Sequence, residues 1–120
     1  MKVNTIYFGK SGNMAFGGVW MDKKSLINRL QNYKLTEFQK KVLEETLNIP
    51  KGETRTYRQI AISIGHPNAY RAVGSALKIN PLAPMIPCHR VIKSSGELGT
   101  YSAPGGTAKK RRMLKAEKAI

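Results

Sequence analysis

Three prolines between residues 81 and 87 dictate what the middle of this chain can become. Proline locks φ and restricts the residue before it, so residues 80–87 can neither continue a helix nor lie inside a sheet. The stretch Asn80-Pro-Leu-Ala-Pro-Met-Ile-Pro-Cys-His-Arg-Val-Ile92 is therefore a stiff, non-helical connection. Such a connection loses little entropy on folding and suits a side chain that must hold one pose. At its end stands Cys88, the only cysteine, followed by His89 and Arg90. A lone cysteine is most often an inert core residue. A free thiol is also only about 3% ionised at pH 7, so a reactive one needs a base or a positive charge nearby.

The segments before this connection read as helices. Thr36-x-x-Gln39 is a capping box, in which each side chain satisfies an orphan backbone N–H. It opens a helix with Phe38, Val42, Leu43 and Leu47 on one face, ended by Pro50-Lys-Gly52. A second box, Thr56-Tyr-Arg-Gln59, opens a short helix with Ile60, Ala61 and Ile64 inward and Gly65 as its stop. A third helix is expected from Pro67 or Asn68 to about Lys78, with Ala72, Val73, Ala76 and Leu77 as its apolar residues. Two short helices joined by Gly65-His-Pro make a helix-turn-helix. The second would expose Asn68, Tyr70, Arg71, Ser75 and Lys78, with no acid among them, and Gly74 would permit close approach.

Both ends are less strongly marked. Residues 3–9 and 14–21 read as strands of a hairpin around Lys-Ser-Gly-Asn, with a short helix over Ser25–Tyr33. After Cys88, residues 89–93 read as a strand, Ser94-Ser-Gly96 as a turn and 97–101 as a returning strand, which together would form a wing. Thr107 to about Ala119 is a basic helix with Ala108, Met113 and Leu114 inward. The expected class is mainly α with short β-hairpins, a winged helix-turn-helix-like unit over 36–120 capped by a small part over 1–35.

Composition narrows the function. The net charge is +14, and residues 61–120 carry ten Lys/Arg against Glu97 and Glu117 alone. A chain this basic meets polyanions, and nucleic acid is the expected one. No apolar run is long enough to span a bilayer, and no segment pairs a basic face with a clean apolar face, so no membrane partner is expected. One cysteine excludes an internal disulfide, and Cys88 with His66 and His89 is too few for a structural zinc site. An intracellular, cytoplasmic or nucleoid-associated protein is expected.

Ile86-Pro-Cys-His-Arg-Val91 resembles the active-site signature of the O6-alkylguanine-DNA alkyltransferases, the methylated-DNA–protein-cysteine methyltransferases. Phe38-Gln39 with Val42-Leu43, Pro50-Lys-Gly-Glu-Thr-Arg-Thr-Tyr-Arg-Gln-Ile-Ala61, Arg71-Ala-Val-Gly74, Asn80-Pro81, Ser94-Ser-Gly96 and Gly99-Thr-Tyr-Ser102 fall in that family's order. The resemblance covers roughly residues 36–120. It implies repair of O6-alkylguanine in double-stranded DNA, with O4-alkylthymine as a further substrate, by irreversible transfer of the alkyl group to Cys88. No cofactor is implied, and a monomer is expected. The nucleotide is flipped out first, because its reacting edge is out of reach inside the stack.

The resemblance also implies roles. His89 would be the base, acting through a water, with Glu117 orienting it. Tyr101 would donate to the leaving guanine, and Asn80 would brace the turn. Tyr57 would press on the neighbouring phosphate, and Arg71 would fill the gap in the stack. Gly74 and Ser75 would let the helix approach the minor groove, with Arg90 also placed among the DNA-binding residues. The carbonyls of Cys88 and Val91 would read the guanine amine, with Pro87 and Ser102 lining the pocket. The departures are a reduced N-terminal part without the zinc site of longer members, a longer Ala103-Pro-Gly-Gly106 loop, and His66 at a position often held by Asn. The alternative is an alkyltransferase-like protein that flags damage without transfer. Such proteins lack the cysteine, and Cys88 argues against that reading.

Overall fold

A computed structural model describes residues 6–8, 14–16, 19–99, 101 and 103–120. Three short antiparallel strands come first: β1 (Ile6–Phe8), β2 (Met14–Phe16) and β3 (Val19–Met21), in the order β1-β2-β3. Ile6 pairs with Phe16, and Ala15 with Trp20. The expected two-stranded hairpin is thus a three-stranded sheet, because 14–21 folds back on itself. The expected turn over 10–13 lies outside the described residues.

Helix α1 (Lys23–Leu30) starts earlier than expected, because the Asp22 carboxylate accepts from the Ser25 N–H and caps it. Its Leu26 and Leu30, one turn apart, are fully buried. Helix α2 (Glu37–Thr46) opens on the Thr36–Gln39 box with both reciprocal bonds formed. The Thr56–Gln59 box does the same for α3 (Tyr57–Ser63). Helix α4 (Tyr70–Lys78) begins two or three residues later than expected and has no side-chain cap. His66, in the turn before it, instead meets Phe38 edge to face with ring centroids 5.5 Å apart. Ala72 is exposed, while Val73, Ala76 and Leu77 pack inward.

Helices α2, α3 and α4 enclose the core with Val42, Leu43, Ile60, Ala61 and Val73, and Ile86 closes it from the proline-rich connection. Each of the Val, Leu and Ile side chains among these contributes about 1.5–3 kcal/mol by leaving water. Asn80 holds that connection in shape. Its amide donates to the Ile86 carbonyl at 2.9 Å, and its oxygen accepts from the Leu82 N–H at 3.0 Å.

The wing is where the structure departs from expectation. Cys88–Arg90 is a single 3-10 turn, and the strand after it, β5, is only Val91–Ile92. That strand pairs in parallel with β4 (Arg55–Thr56), so Val91 faces Arg55 and Ile92 faces Thr56. Residues 97–99 form no strand. The Lys93 N–H bonds to the Glu97 carbonyl across a tight turn. The β4–β5 pair ties the start of α3 to the end of the cysteine turn. Helix α5 (Gly106–Ala116) closes the chain against the 3-10 turn. Leu114 is buried and Met113 partly so, but Ala108 points to solvent, and the buried residue one turn before Leu114 is Lys110. No helix is long and apolar enough to cross a membrane among the described residues.

Candidate active site

Cys88 lies at the start of the 3-10 turn and is 8% exposed. Its N–H bonds to the Ile86 carbonyl at 2.8 Å, and the Arg90 N–H bonds to that of Pro87 at 2.9 Å. These bonds bend the backbone sharply, so successive side chains here do not alternate as on a strand. A pocket of about 250 Å³ reaches the thiol, walled by Leu77, Pro81, Ala83, Ala103 and Pro104, with Lys78 and Asn80 as its polar members. Burial pushes the thiol pKa up, opposed by a side-chain hydrogen bond with Asn80 and by the charge of Lys110. The expected pocket residue Pro87 is buried and does not line this pocket, and Ser102 lies outside the described residues.

His89 is 2% exposed. Its Nε2 is 3.1 Å from Glu117 Oε2. Burial pushes the Glu117 carboxyl up, but hydrogen bonds from His89 and Arg90, and their charges, outweigh it and hold the pKa at about 2. Glu117 is therefore a carboxylate and can only accept, so Nε2 carries the hydrogen. In neutral His89, Nδ1 then holds the lone pair. It is buried with no hydrogen-bond partner among the described residues. Buried polar atoms are rarely left unpaired, and water is the usual partner where protein supplies none.

Glu117 sits at the C-cap of α5 yet is well anchored. Its backbone packs under Gly52, whose φ is +90° and where an added Cβ would come 3.3 Å from the Glu117 carbonyl. Arg90 holds the carboxylate, with Nε to Oε1 at 3.0 Å and one Nη to Oε2 at 2.6 Å. Its other Nη donates to the Ile49 carbonyl at 2.9 Å. This corrects the expectation that Arg90 binds DNA. The side chain is 1% exposed, and its guanidinium is engaged inside the protein.

The expected nucleic-acid residues come together elsewhere. Tyr57, Arg71, Gly74, Ser75 and Lys78 line a groove of about 450 Å³ along α4, facing Lys93 across it. Arg71 and Ser75 are exposed, and Tyr57 is half-buried. Gly99, at φ +75°, forms the opposite wall, and a Cβ there would come 2.9 Å from the Tyr57 hydroxyl. Tyr101 is buried, and desolvation, then the nearby Cys88, pushes its phenol up to about 12.

One residue of the site went unread in the sequence. Lys110 is fully buried. Its ammonium donates to the Val91 carbonyl at 2.6 Å and to the Leu98 carbonyl, and lies 5.8 Å from the centre of the Tyr57 ring. Burial brings its pKa down to about 8 against the opposing pull of Cys88. Helical spacing held the signal, since Lys110 lies on the stripe of Met113, Leu114 and Glu117. The Val91 carbonyl, expected to read a guanine amine, thus spends one of its two lone pairs on Lys110.

Residues 37–119 match a family model described as 6-O-methylguanine DNA methyltransferase, DNA binding domain. A methylated-DNA–protein-cysteine methyltransferase of Methanosarcina barkeri is 55% identical over 82 residues, 68% of this chain and 51% of the relative. One of Mycobacterium bovis is 52% identical over 83 residues, 69% of this chain and 49% of the relative. The chain thus spans about half the length of these relatives. Among solved structures, Mycobacterium tuberculosis OGT in complex with DNA superposes with a TM-score of 0.68 at 50% identity, covering 72% of this chain and 51% of the other. Schizosaccharomyces pombe Atl1, in complex with damaged DNA containing O6-carboxymethylguanine, gives a TM-score of 0.62 at 33% identity, covering 71% and 79%.

Proposed function

The chain belongs to the 6-O-methylguanine DNA methyltransferase family, and from that premise we propose that it repairs duplex DNA by moving an alkyl group from guanine O6 to Cys88. The observation that carries this reading is the buried His89. One ring nitrogen is committed to Glu117, and the other has no hydrogen-bond partner among the described residues, while the adjoining Cys88 opens on a pocket that shares Lys78 with the basic groove.

The duplex lies along α4, with phosphates near Lys78 and Lys93. Tyr57 presses on the backbone beside the lesion, Arg71 occupies the vacated place in the stack, and Gly74 and Ser75 keep the helix surface low. The flipped base enters the pocket at Cys88. A water relays the thiol proton to His89 Nδ1, and Glu117 stabilises the imidazolium through Nε2. The sulfur pair forms the S–C bond as the C–O6 bond breaks, and the electrons leave on guanine. Tyr101, whose phenol stays protonated, donates a hydrogen bond to the guanine as its negative charge grows. The product is a thioether at Cys88 and a guanine anion, which becomes neutral guanine when the proton held on His89 is returned to it through water, so each molecule reacts once. No cofactor enters, because the protein is the acceptor. Residues 36–120 are the working unit, residues 1–35 an accessory part, and the setting is intracellular.

Mass spectrometry after incubation with duplex DNA containing O6-methylguanine tests this. The Cys88 peptide should gain about 14 Da as methyl replaces the thiol hydrogen. The Cys88→Ser protein should show none. Tight binding without gain in the unaltered protein would instead indicate a damage-flagging role, and neither binding nor gain would overturn both readings.

A further inference from the structure

A buried guanidinium is costly unless it is paired and fully hydrogen-bonded. Arg90 is paired with both oxygens of Glu117 and also donates to the carbonyl of Ile49. A simple staple between chain segments would explain the burial, but the identity of the carboxylate points further. Glu117 Oε2 is shared between Arg90 and His89, at 2.6 Å and 3.1 Å. Residues 89 and 90 belong to one 3-10 turn, so that turn grips a single carboxylate with two consecutive side chains. A fork holding both oxygens sets the plane of a carboxylate, which a single contact leaves free to rotate.

Resting on the alkyl-transfer reading, we propose that Arg90 is a positioning residue for the reaction: by gripping both oxygens of Glu117 it fixes the one that holds His89 Nε2. The imidazole is thereby kept in the tautomer with its lone pair on Nδ1, the nitrogen that receives the thiol proton. Lysine could supply the charge at this position but not the fork. Arg90 acts through Glu117 and His89 and touches neither DNA nor the alkyl group.

The test is a double-mutant cycle on the single-turnover transfer rate at saturating DNA, with affinity and melting temperature measured for each protein. Arg90→Gln should slow transfer about tenfold, as loss of an orienting partner typically does. Its DNA affinity should stay within about twofold of the parent, and in a Glu117→Gln background the same change should cost less than about twofold, because the two residues act as one unit. Arg90→Lys should fall between Arg90→Gln and the parent, and it completes the cycle if Arg90→Gln does not fold. Rate losses that multiply independently would reduce Arg90 to a staple and overturn the proposal. So would weakened DNA affinity with an unchanged saturating rate, which would make Arg90 a DNA contact. If the parent protein never alkylates Cys88, the transfer reading fails and this inference with it. A transferring parent with an additive cycle sinks the inference alone.

Discussion

Each reactive side chain here owes its state to its neighbours. Glu117 shows this most directly, since its carboxyl is held at about 2 against an ordinary 4.5. A depressed folded-state pKa adds stability that is fully present above the ordinary value and is lost as pH falls through the folded one. Acid unfolding should therefore draw on Glu117 between about pH 4.5 and pH 2. Glu117→Gln should flatten stability across that window, as followed by circular dichroism; an unchanged acid limb would show that the carboxylate contributes nothing to the fold. The contact of His89 with Glu117 was expected only through the family resemblance, since the turn motif itself names Cys88 and His89 but not the carboxylate. Arg90 was misread because a cation beside a reactive motif, in a chain this basic, looks like a phosphate contact. What buries it is a carboxylate 27 positions away, which adjacency cannot reveal. Lys110 was missed for a related reason: its charge concealed the apolar stripe it continues.

Among the elements, those specified locally were legible and those made by distant pairing were not. Both capping boxes gave their helix starts correctly, because the atoms that make the cap lie within four residues. The parallel partner of Val91–Ile92 lies before α3, and nothing in the local pattern marks it. That two-residue ladder is reinforced by Lys110, which binds the carbonyls of Val91 and Leu98 from α5. Lys110→Met would relieve a buried amine but leave two carbonyls short of a donor, so a net loss of about 2 kcal/mol is expected, read from thermal or urea unfolding. A neutral or stabilising outcome would mean that the ammonium is a burden, not a tie. Gly99→Ala tests the opposite wall of the groove. The left-handed backbone costs an alanine about 1 kcal/mol. The new methyl also meets the Tyr57 hydroxyl, so DNA affinity should fall together with melting temperature. Unimpaired DNA binding would show that the seat of Tyr57 is not needed.

For the whole molecule, the charge of +14 sets how it would meet a polyanion. Binding that rests on phosphate contacts weakens as a power of salt, by about 0.9 in log K per phosphate for each tenfold rise in salt. Affinity for undamaged duplex should drop steeply between low and moderate salt, and a flat response would remove the basic groove from the account. Charge was fully legible in the sequence; which cations face outward was not, since Arg90 and Lys110 both lie inside. The depth of Cys88 also governs how readily the thiol is lost to other chemistry. Sulfenic acid formation and disulfide exchange need an accessible thiolate, and this thiol is 8% exposed with its pKa raised by burial. Peroxide and bulky disulfide reagents should consume it more slowly than they consume free cysteine. On the alkyl-transfer proposal, a protein with one thiol to give would thereby be shelved intact, its capacity guarded by geometry until a base is delivered into the pocket.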